Sequence, residues 1–278
     1  MMKIVSKISE LKYELNKNKN SLGLVPTMGS LHMGHRSLVK RAREDNLFLA
    51  VSLFVNPLQF APDEDFNKYP RNIDEDLGIL ESENVDLVFI PDIEEIYPQG
   101  FSTKIVVGNL TQIYEGQYRN GHFDGVATVV SKLFSIFKPD KAYFGAKDAQ
   151  QCALIKHVNK DLNFGVEIII CPTIRDQNGL ALSSRNIYLN SQERDAATLI
   201  NKSLFKALEL FHLGENEVSI LCFKAQNIIK SNSLLEINYI DIVDKDDFQK
   251  HINVRNNSLM ITAVKIGNIR LIDNIEIE

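Results

Sequence analysis

Two histidines, His32 and His35, stand in the stretch Val25–Ala42, "VPTMGSLHMGHRSLVKRA". An apolar run precedes them and a helix-like run follows. Pro26 ends the first run, Gly29 permits a tight bend, and Gly34 falls at the start of the second. Backbone N–H groups and the dipole at a helix start attract phosphate. Side chains three apart on a first helical turn can point the same way. The two imidazoles can therefore donate to a phosphate oxygen and to charge that grows on a leaving group. The chain holds neither G-x-G-x-x-G nor G-x-x-x-x-G-K-[ST], so a dinucleotide fingerprint and a P-loop are unsupported. A zinc site is also disfavoured, because no third ligand stands at a suitable spacing.

Other polar groups cluster where apolar runs end. "SLFVNPLQF" (Ser52–Phe60) places the amides of Asn56 and Gln59 there, suited to reading hydroxyl and carboxylate groups through uncharged bonds. "EDFNKYPRNIDEDLGIL" (Glu64–Leu80) puts Asp74, Glu75 and Asp76 at a helix start, where the dipole favours acid. "YEGQYRNGHFDGVATVVSKLF" (Tyr114–Phe134) carries Arg119 and a Gly-His turn before a Val-rich helix. In "KPDKAYFGAKDAQQ" (Lys138–Gln151), Gly145 ends a strand and lets backbone approach a ligand. Lys147 stands at the strand–helix junction, where an ammonium can reach phosphate. Asp148 is equally a good N-cap, and Gln151 lies one turn on. "RDQNGLALSSRN" (Arg175–Asn186) offers the hydroxyls of Ser183 and Ser184 and the guanidinium of Arg185 for phosphate charge.

These groups need a scaffold, and the sequence describes one. Strand-like runs fall at Leu22–Val25, Phe48–Val55, Asp86–Ile90, Lys141–Phe144 and Val166–Cys171, with a further candidate at Lys104–Val107. Helical patterns lie between them at Gly34–Asp45, Ile73–Glu83, Val126–Phe137 and Ala149–Lys160. Continuous apolar strands are those buried on both faces, and their alternation with helices predicts an α/β, Rossmann-like doubly wound parallel sheet over residues 1–172. Beyond Thr173 the texture changes to helices at Ser191–Phe211 and Val218–Ile229, then strands at Ile237–Val243, Leu259–Lys265 and Ile269–Asp273. That order predicts a smaller C-terminal α+β domain over residues 173–278, suited to act as a lid. The N-terminal "MMKIVSKISELKYEL" reads as an amphipathic helix and not as a signal peptide.

The 278 residues carry 44% hydrophobic and 24% charged side chains and a formal charge of −5. An acidic chain argues against a nucleic-acid partner while leaving room for a local cationic pocket. The longest apolar run, Leu47–Val55, is too short to span a bilayer. Cys152, Cys171 and Cys222 form no C-x-x-C pair and read as buried thiols of a reducing compartment, so a cytoplasmic location is expected.

"PTMGSLHMGH" resembles the HIGH signature of the nucleotidyltransferase superfamily in the form carried by the pantothenate synthetase (pantoate–β-alanine ligase) family. The likeness continues, in order, through N-P-x-Q-F, E-D-x-x-x-Y-P-R, R-P-G-H-F-x-G-V-x-T-V-V, F-G-E-K-D-x-Q-Q and R-E-x-D-G-L-A-M-S-S-R-N. Asn120, Ala146, Asp176, Asn178 and Leu182 depart from those patterns. The last stretch is also similar to the mobile K-M-S-K-S loop of class I aminoacyl-tRNA synthetases.

The resemblance implies ATP-dependent activation of pantoate to pantoyl-adenylate, then transfer to β-alanine, in a homodimer. It implies that His32, His35, Lys147 and Arg185 are catalytic. Pro26, Thr27, Met28, Gly34, Gly145, Asp148, Ile174, Leu182, Ser183 and Ser184 join Lys147 and Arg185 around ATP, with Asp148 on the ribose. Gln59 and Gln151 take pantoate, Arg119 lines the pantoate or β-alanine side of the pocket and is counted with the pantoate residues, and Asp76, with Glu75, supports through water the Mg²⁺ carried on the ATP phosphates. Three other readings share some of these residues: another HIGH-type nucleotidyltransferase, a fragment of an aminoacyl-tRNA synthetase, and a non-catalytic nucleotide sensor.

Overall fold

The computed structural model describes residues 1–18, 20–61, 64 and 66–277, so Asp65 of the E-D-x-x-x-Y-P-R stretch lies outside the described residues. Two compact units divide the chain, residues 1–146 with 154–172 and residues 147–153 with 173–278. Residues 147–153, expected within the first domain, group with the second unit.

In the first unit the elements run β1 (Lys3–Val5), α1 (Ile8–Lys17), β2 (Leu22–Thr27), α2 (Met33–Asp45), β3 (Phe48–Leu53), α3 (Ile73–Ser82) and β4 (Leu87–Phe89). Short helices α4 (Ile93–Ile96) and α5 (Glu115–Tyr118) lead to α6 (His122–Phe137), β5 (Lys141–Gly145), α7 (Ala149–Asp161) and β6 (Glu167–Cys171). The six strands form one parallel sheet in the order β1-β4-β3-β2-β5-β6. Buried residues continue along β2 and β3 without alternation, as strands covered on both faces require. Leu38, Val39 and Ala42 of α2 pack in one apolar cluster with Val25, Leu49 and Val51. From β2 the chain steps outward to β3 and β4, then returns to β5 on the other side of β2. Loops leaving strands at such a reversal diverge and open a ligand crevice at the carboxyl ends. The turn after β2 and the end of β5 at Gly145 flank that reversal.

Two expectations about elements fail. The N-terminal helix is preceded by β1, whose three residues pair with β4 from Lys3↔Leu87 to Val5↔Phe89. Residues Lys104–Val107 form no strand. There the Ile105 N–H donates to Thr128 Oγ1 of α6 at 3.0 Å, a side-chain partner in place of a neighbouring strand.

The second unit contains α8 (Ser191–His212), α9 (Val218–Ile229), β7 (Leu235–Asp244), β8 (Ser258–Ile266) and β9 (Ile269–Ile277). The strands form an antiparallel sheet in sequence order. Its core joins Ala197, Ile200 and Leu204 of α8 to Leu221 and Ala225 of α9 and to Ile242, Val264 and Leu271 of the sheet. Asn190 caps α8 by accepting from Glu193 N at 3.0 Å, and Glu193 returns a bond to Asn190 N at 2.9 Å. The three cysteines are buried and unbridged, and burial pushes the Cys222 thiol up to about 12. No described helix is long and apolar enough to cross a membrane.

Candidate active site

The turn between β2 and α2 is built from left-handed backbone. Gly29 has φ +81° and Ser30 φ +53°, which turns successive N–H groups to one side. Asp76, in the first turn of α3, collects them. Its Oδ2 accepts from Ser30 N at 2.8 Å and its Oδ1 from Leu31 N at 2.7 Å. The carboxylate is 3% exposed, and burial pushes its pKa up against the pull of the Leu31 and Ser30 N–H bonds.

His32 and His35 follow as an N-cap pair. His32 Nδ1 accepts from Gly34 N at 3.1 Å, and His35 Nδ1 accepts from His32 N at 3.4 Å. The rings lie 4.2 Å apart between centroids. A neutral imidazole whose Nδ1 accepts carries its proton on Nε2. Both rings are thereby set as Nε2–H donors at the head of α2. The Gly34 N–H, expected to face phosphate, is donated to His32 instead.

Gln59 lies beside this turn and is 7% exposed. Its Nε2 donates to Met28 Sδ at 2.9 Å and its Oε1 accepts from Asn56 Nδ2 at 3.1 Å. Asn56 also donates to Gly125 O at 3.0 Å and accepts from Tyr97 Oη at 2.7 Å. Gly125 permits the close approach of α6, since a Cβ there would meet Leu58 O at 2.1 Å. Arg119, expected to face pantoate, has its fork turned to protein groups. Nε and Nη2 bond Glu64 at 2.7 and 2.9 Å, and Nη1 lies 2.9 Å from His122 Nε2. Arginine only donates, so His122 Nε2 accepts and its Nδ1–H donates to Gln59 O at 2.8 Å. Arg119 thus holds the Gln59 main chain through His122. Thr27 Oγ1 donates to Ser52 O and accepts from Gly29 N, both at 3.2 Å, closing the end of β2.

In the second unit Lys147 Nζ lies 3.2 Å from Asp148 Oδ1, and their side chains are 19% and 45% exposed. Residues 174–182 fold back as a hairpin, with Leu182 N donating to Ile174 O and Asp176 N to Leu180 O, both at 2.9 Å. Ser183 then caps a 3₁₀ turn over Ser184–Tyr188 by accepting from Arg185 N at 3.3 Å. Gln151 sits half-buried on α7. Arg175 anchors the hairpin through Asp273 of β9, with Nη1–Oδ2 at 2.6 Å and Nη2–Oδ1 at 3.0 Å.

Both Asp76 oxygens accept main-chain N–H groups, and no group of three or more His, Cys, Asp or Glu among the described residues is arranged to hold a metal. Residues missed from the sequence are the supporting ones: Glu64, His122, Gly125, Arg175, Asp273 and Asn274; Asn56, legible as a polar amide at a strand end, bonds Gln59 and Gly125. Asp273-Asn274 carried one usable signal, since two adjacent polar residues in a strand run against β-propensity.

The profile of the family described as Pantoate-beta-alanine ligase matches residues 2–276. The chain belongs to the pantoate–β-alanine ligase family. It is 47% identical over 280 residues to the pantothenate synthetase of Caldicellulosiruptor bescii, covering 100% of this chain and 99% of that one. A pantothenate synthetase from Fervidobacterium nodosum is 48% identical, with 98% of each chain covered. The crystal structure of pantothenate synthetase from Thermus thermophilus superposes with a TM-score of 0.96 at 41% identity, covering 99% of both chains. Another, of the pantoate–β-alanine ligase from Francisella tularensis complexed with β,γ-ATP and β-alanine, gives 0.81 at 36% identity over 99% and 97% of the chains. The parallel sheet with a smaller antiparallel sheet is this family's fold, and ATP-dependent condensation of pantoate with β-alanine is its reaction.

Proposed function

We propose how the residues of this chain divide the family reaction. Pantoate arrives ionised, so no side-chain nucleophile is required; the difficulty is bringing an anion to the α-phosphorus of a polyanion. His32 and His35 donate Nε2–H bonds to the phosphates, His35 nearest the bridging oxygen. Lys147, Ser183, Ser184 and Arg185 follow the departing pyrophosphate, and Asp148 takes the ribose. Pro26, Thr27, Met28, Gly34, Gly145, Ile174 and Leu182 line the nucleotide. Gln59 and Gln151 bind pantoate, with Arg119 supporting Gln59. The neutral amine of β-alanine then attacks pantoyl-adenylate and AMP leaves. Asp76, with Glu75, would support through water the Mg²⁺ carried on ATP, which would neutralise phosphate charge. Family likeness further supports a homodimer in the cytoplasm.

The observation that carries the reading is the paired histidine cap, in which both Nδ1 atoms accept main-chain N–H groups. AMP formation from ATP and pantoate, with and without β-alanine, tests it. AMP release that requires β-alanine, with pyrophosphate release that does not, is expected. His35→Ala and Lys147→Ala should each cost about 2.7–4 kcal/mol of transition-state stabilisation, and near-normal pyrophosphate release would remove that residue from the step. Gln59→Ala should raise the pantoate requirement more than the ATP requirement; the reverse refutes its assignment.

A further inference from the structure

β9 carries two adjacent polar residues that are both buried, Asp273 at 4% and Asn274 at 8% exposure. Successive residues of a strand face opposite sides of a sheet. Ile269, Leu271, Ile275 and Ile277 belong to the apolar core of the second unit, so Asp273 shares the core face and Asn274 the other. On its face Asp273 receives the Arg175 fork, and Arg175 Nη1 also donates to Gly179 O at 3.3 Å. The hairpin that leads into Ser183, Ser184 and Arg185 is thus pinned to β9. On the opposite face Asn274 Nδ2 donates to the main-chain carbonyl of Lys147 at 2.9 Å. This bond spans 127 residues of sequence and ends on the residue whose ammonium is assigned to phosphate. The Asn274 main chain is held in turn, since its N–H donates to Asp273 Oδ1 at 2.8 Å and its carbonyl accepts from Arg175 Nη2 at 3.4 Å.

We infer that Asn274 is a positioning residue for adenylate formation, fixing the Lys147 main chain to the strand that also anchors the hairpin before Ser183. The inference rests on the assignment of Lys147 to the phosphates. A lysine ammonium ends a flexible four-carbon stem, so its reach depends on where its Cα is held. A buried amide bonded to the carbonyl at its base sets that point and touches no substrate itself.

The experiment measures pyrophosphate release from ATP and pantoate for Asn274→Ala, Asn274→Asp, Lys147→Ala and the double variant Lys147→Ala/Asn274→Ala, with thermal unfolding of each. Asn274→Ala and Asn274→Asp should each slow release about tenfold or more and raise the KM for ATP, leaving the KM for pantoate within about twofold. In the Lys147→Ala background the Asn274→Ala effect should vanish, because residues acting through one another are not additive. A full additional loss in the double variant would overturn the inference, as would near-normal release in both single Asn274 variants, or equal rises in KM for ATP and pantoate. If Lys147→Ala itself releases pyrophosphate normally, the phosphate assignment fails. If Lys147→Ala is slow and the folded Asn274 variants are normal, the positioning role fails alone.

Discussion

The turn before α2 and the hairpin before Ser183 are each held by one buried aspartate, but with opposite intermediates. The first turn directs N–H groups inward, from Ser30 and Leu31, and the Asp76 carboxylate satisfies them without a cation. The hairpin directs a carbonyl inward, that of Gly179, which only a donor can satisfy. Arg175 supplies it, and the guanidinium then needs Asp273. The direction of the local main-chain dipoles therefore decides whether an acid suffices or an ion pair is required. The first solution costs one desolvated carboxylate; the second buries two charges that depend on each other.

Asp273→Ala breaks that dependence most severely. It strands the Arg175 charge, and a loss of about 3–5 kcal/mol is expected in denaturant unfolding; a loss under about 1 kcal/mol would erase the distinction between the two turns. Asp76→Ala should cost less, about 1–3 kcal/mol, the range for buried groups left without a partner. It should also slow pyrophosphate release, because Ser30 and Leu31 precede His32; stability loss with unchanged turnover would separate the turn from the chemistry.

The acidic side of the pH range sharpens the contrast. Burial raises the Asp76 carboxyl above the ordinary aspartate value, so the native state binds the proton more tightly than the unfolded chain. This contribution favours the fold at the acid end and is lost as pH rises from the unfolded value through the raised one. The difference in unfolding free energy between the wild type and Asp76→Asn, followed across that window, should slope accordingly; a flat difference would contradict the burial account. At the small end, Lys206→Ala removes only the exposed pair with Glu209 on α8, and about 0.2–0.5 kcal/mol is expected, with turnover unchanged.

Legibility followed the range of the interactions. The histidine pair, Gln59, Lys147 and the Ser183–Arg185 run were visible because their residue types sit at strand–helix junctions and in ordered motifs. Asp76 is legible as an acid at a helix start, but not the bonds of its oxygens to a turn more than forty residues upstream. Arg119 is legible as a cation in an ordered motif, but not the partners of its fork, Glu64 and His122. β1 escaped because three residues are too few to show a period beside the α1 pattern. Lys104–Val107 is a strand candidate by residue type alone, and a strand exists only where a neighbour pairs with it.

By itself, then, the sequence determined the alternation of strands and helices, the junctions that carry polar groups, and the family those groups belong to. These are properties of short windows, where apolar periodicity, glycine freedom and capping chemistry act over a few residues. Only the tertiary structure decided which polar groups are spent on the protein: Asp76 on a turn, Arg119 on a glutamate and a histidine, Asn274 on the Lys147 carbonyl. Hydrogen-bond partners are chosen by proximity in space and by the cost of leaving a buried donor or acceptor unpaired, and neither is written in the local spacing of residues.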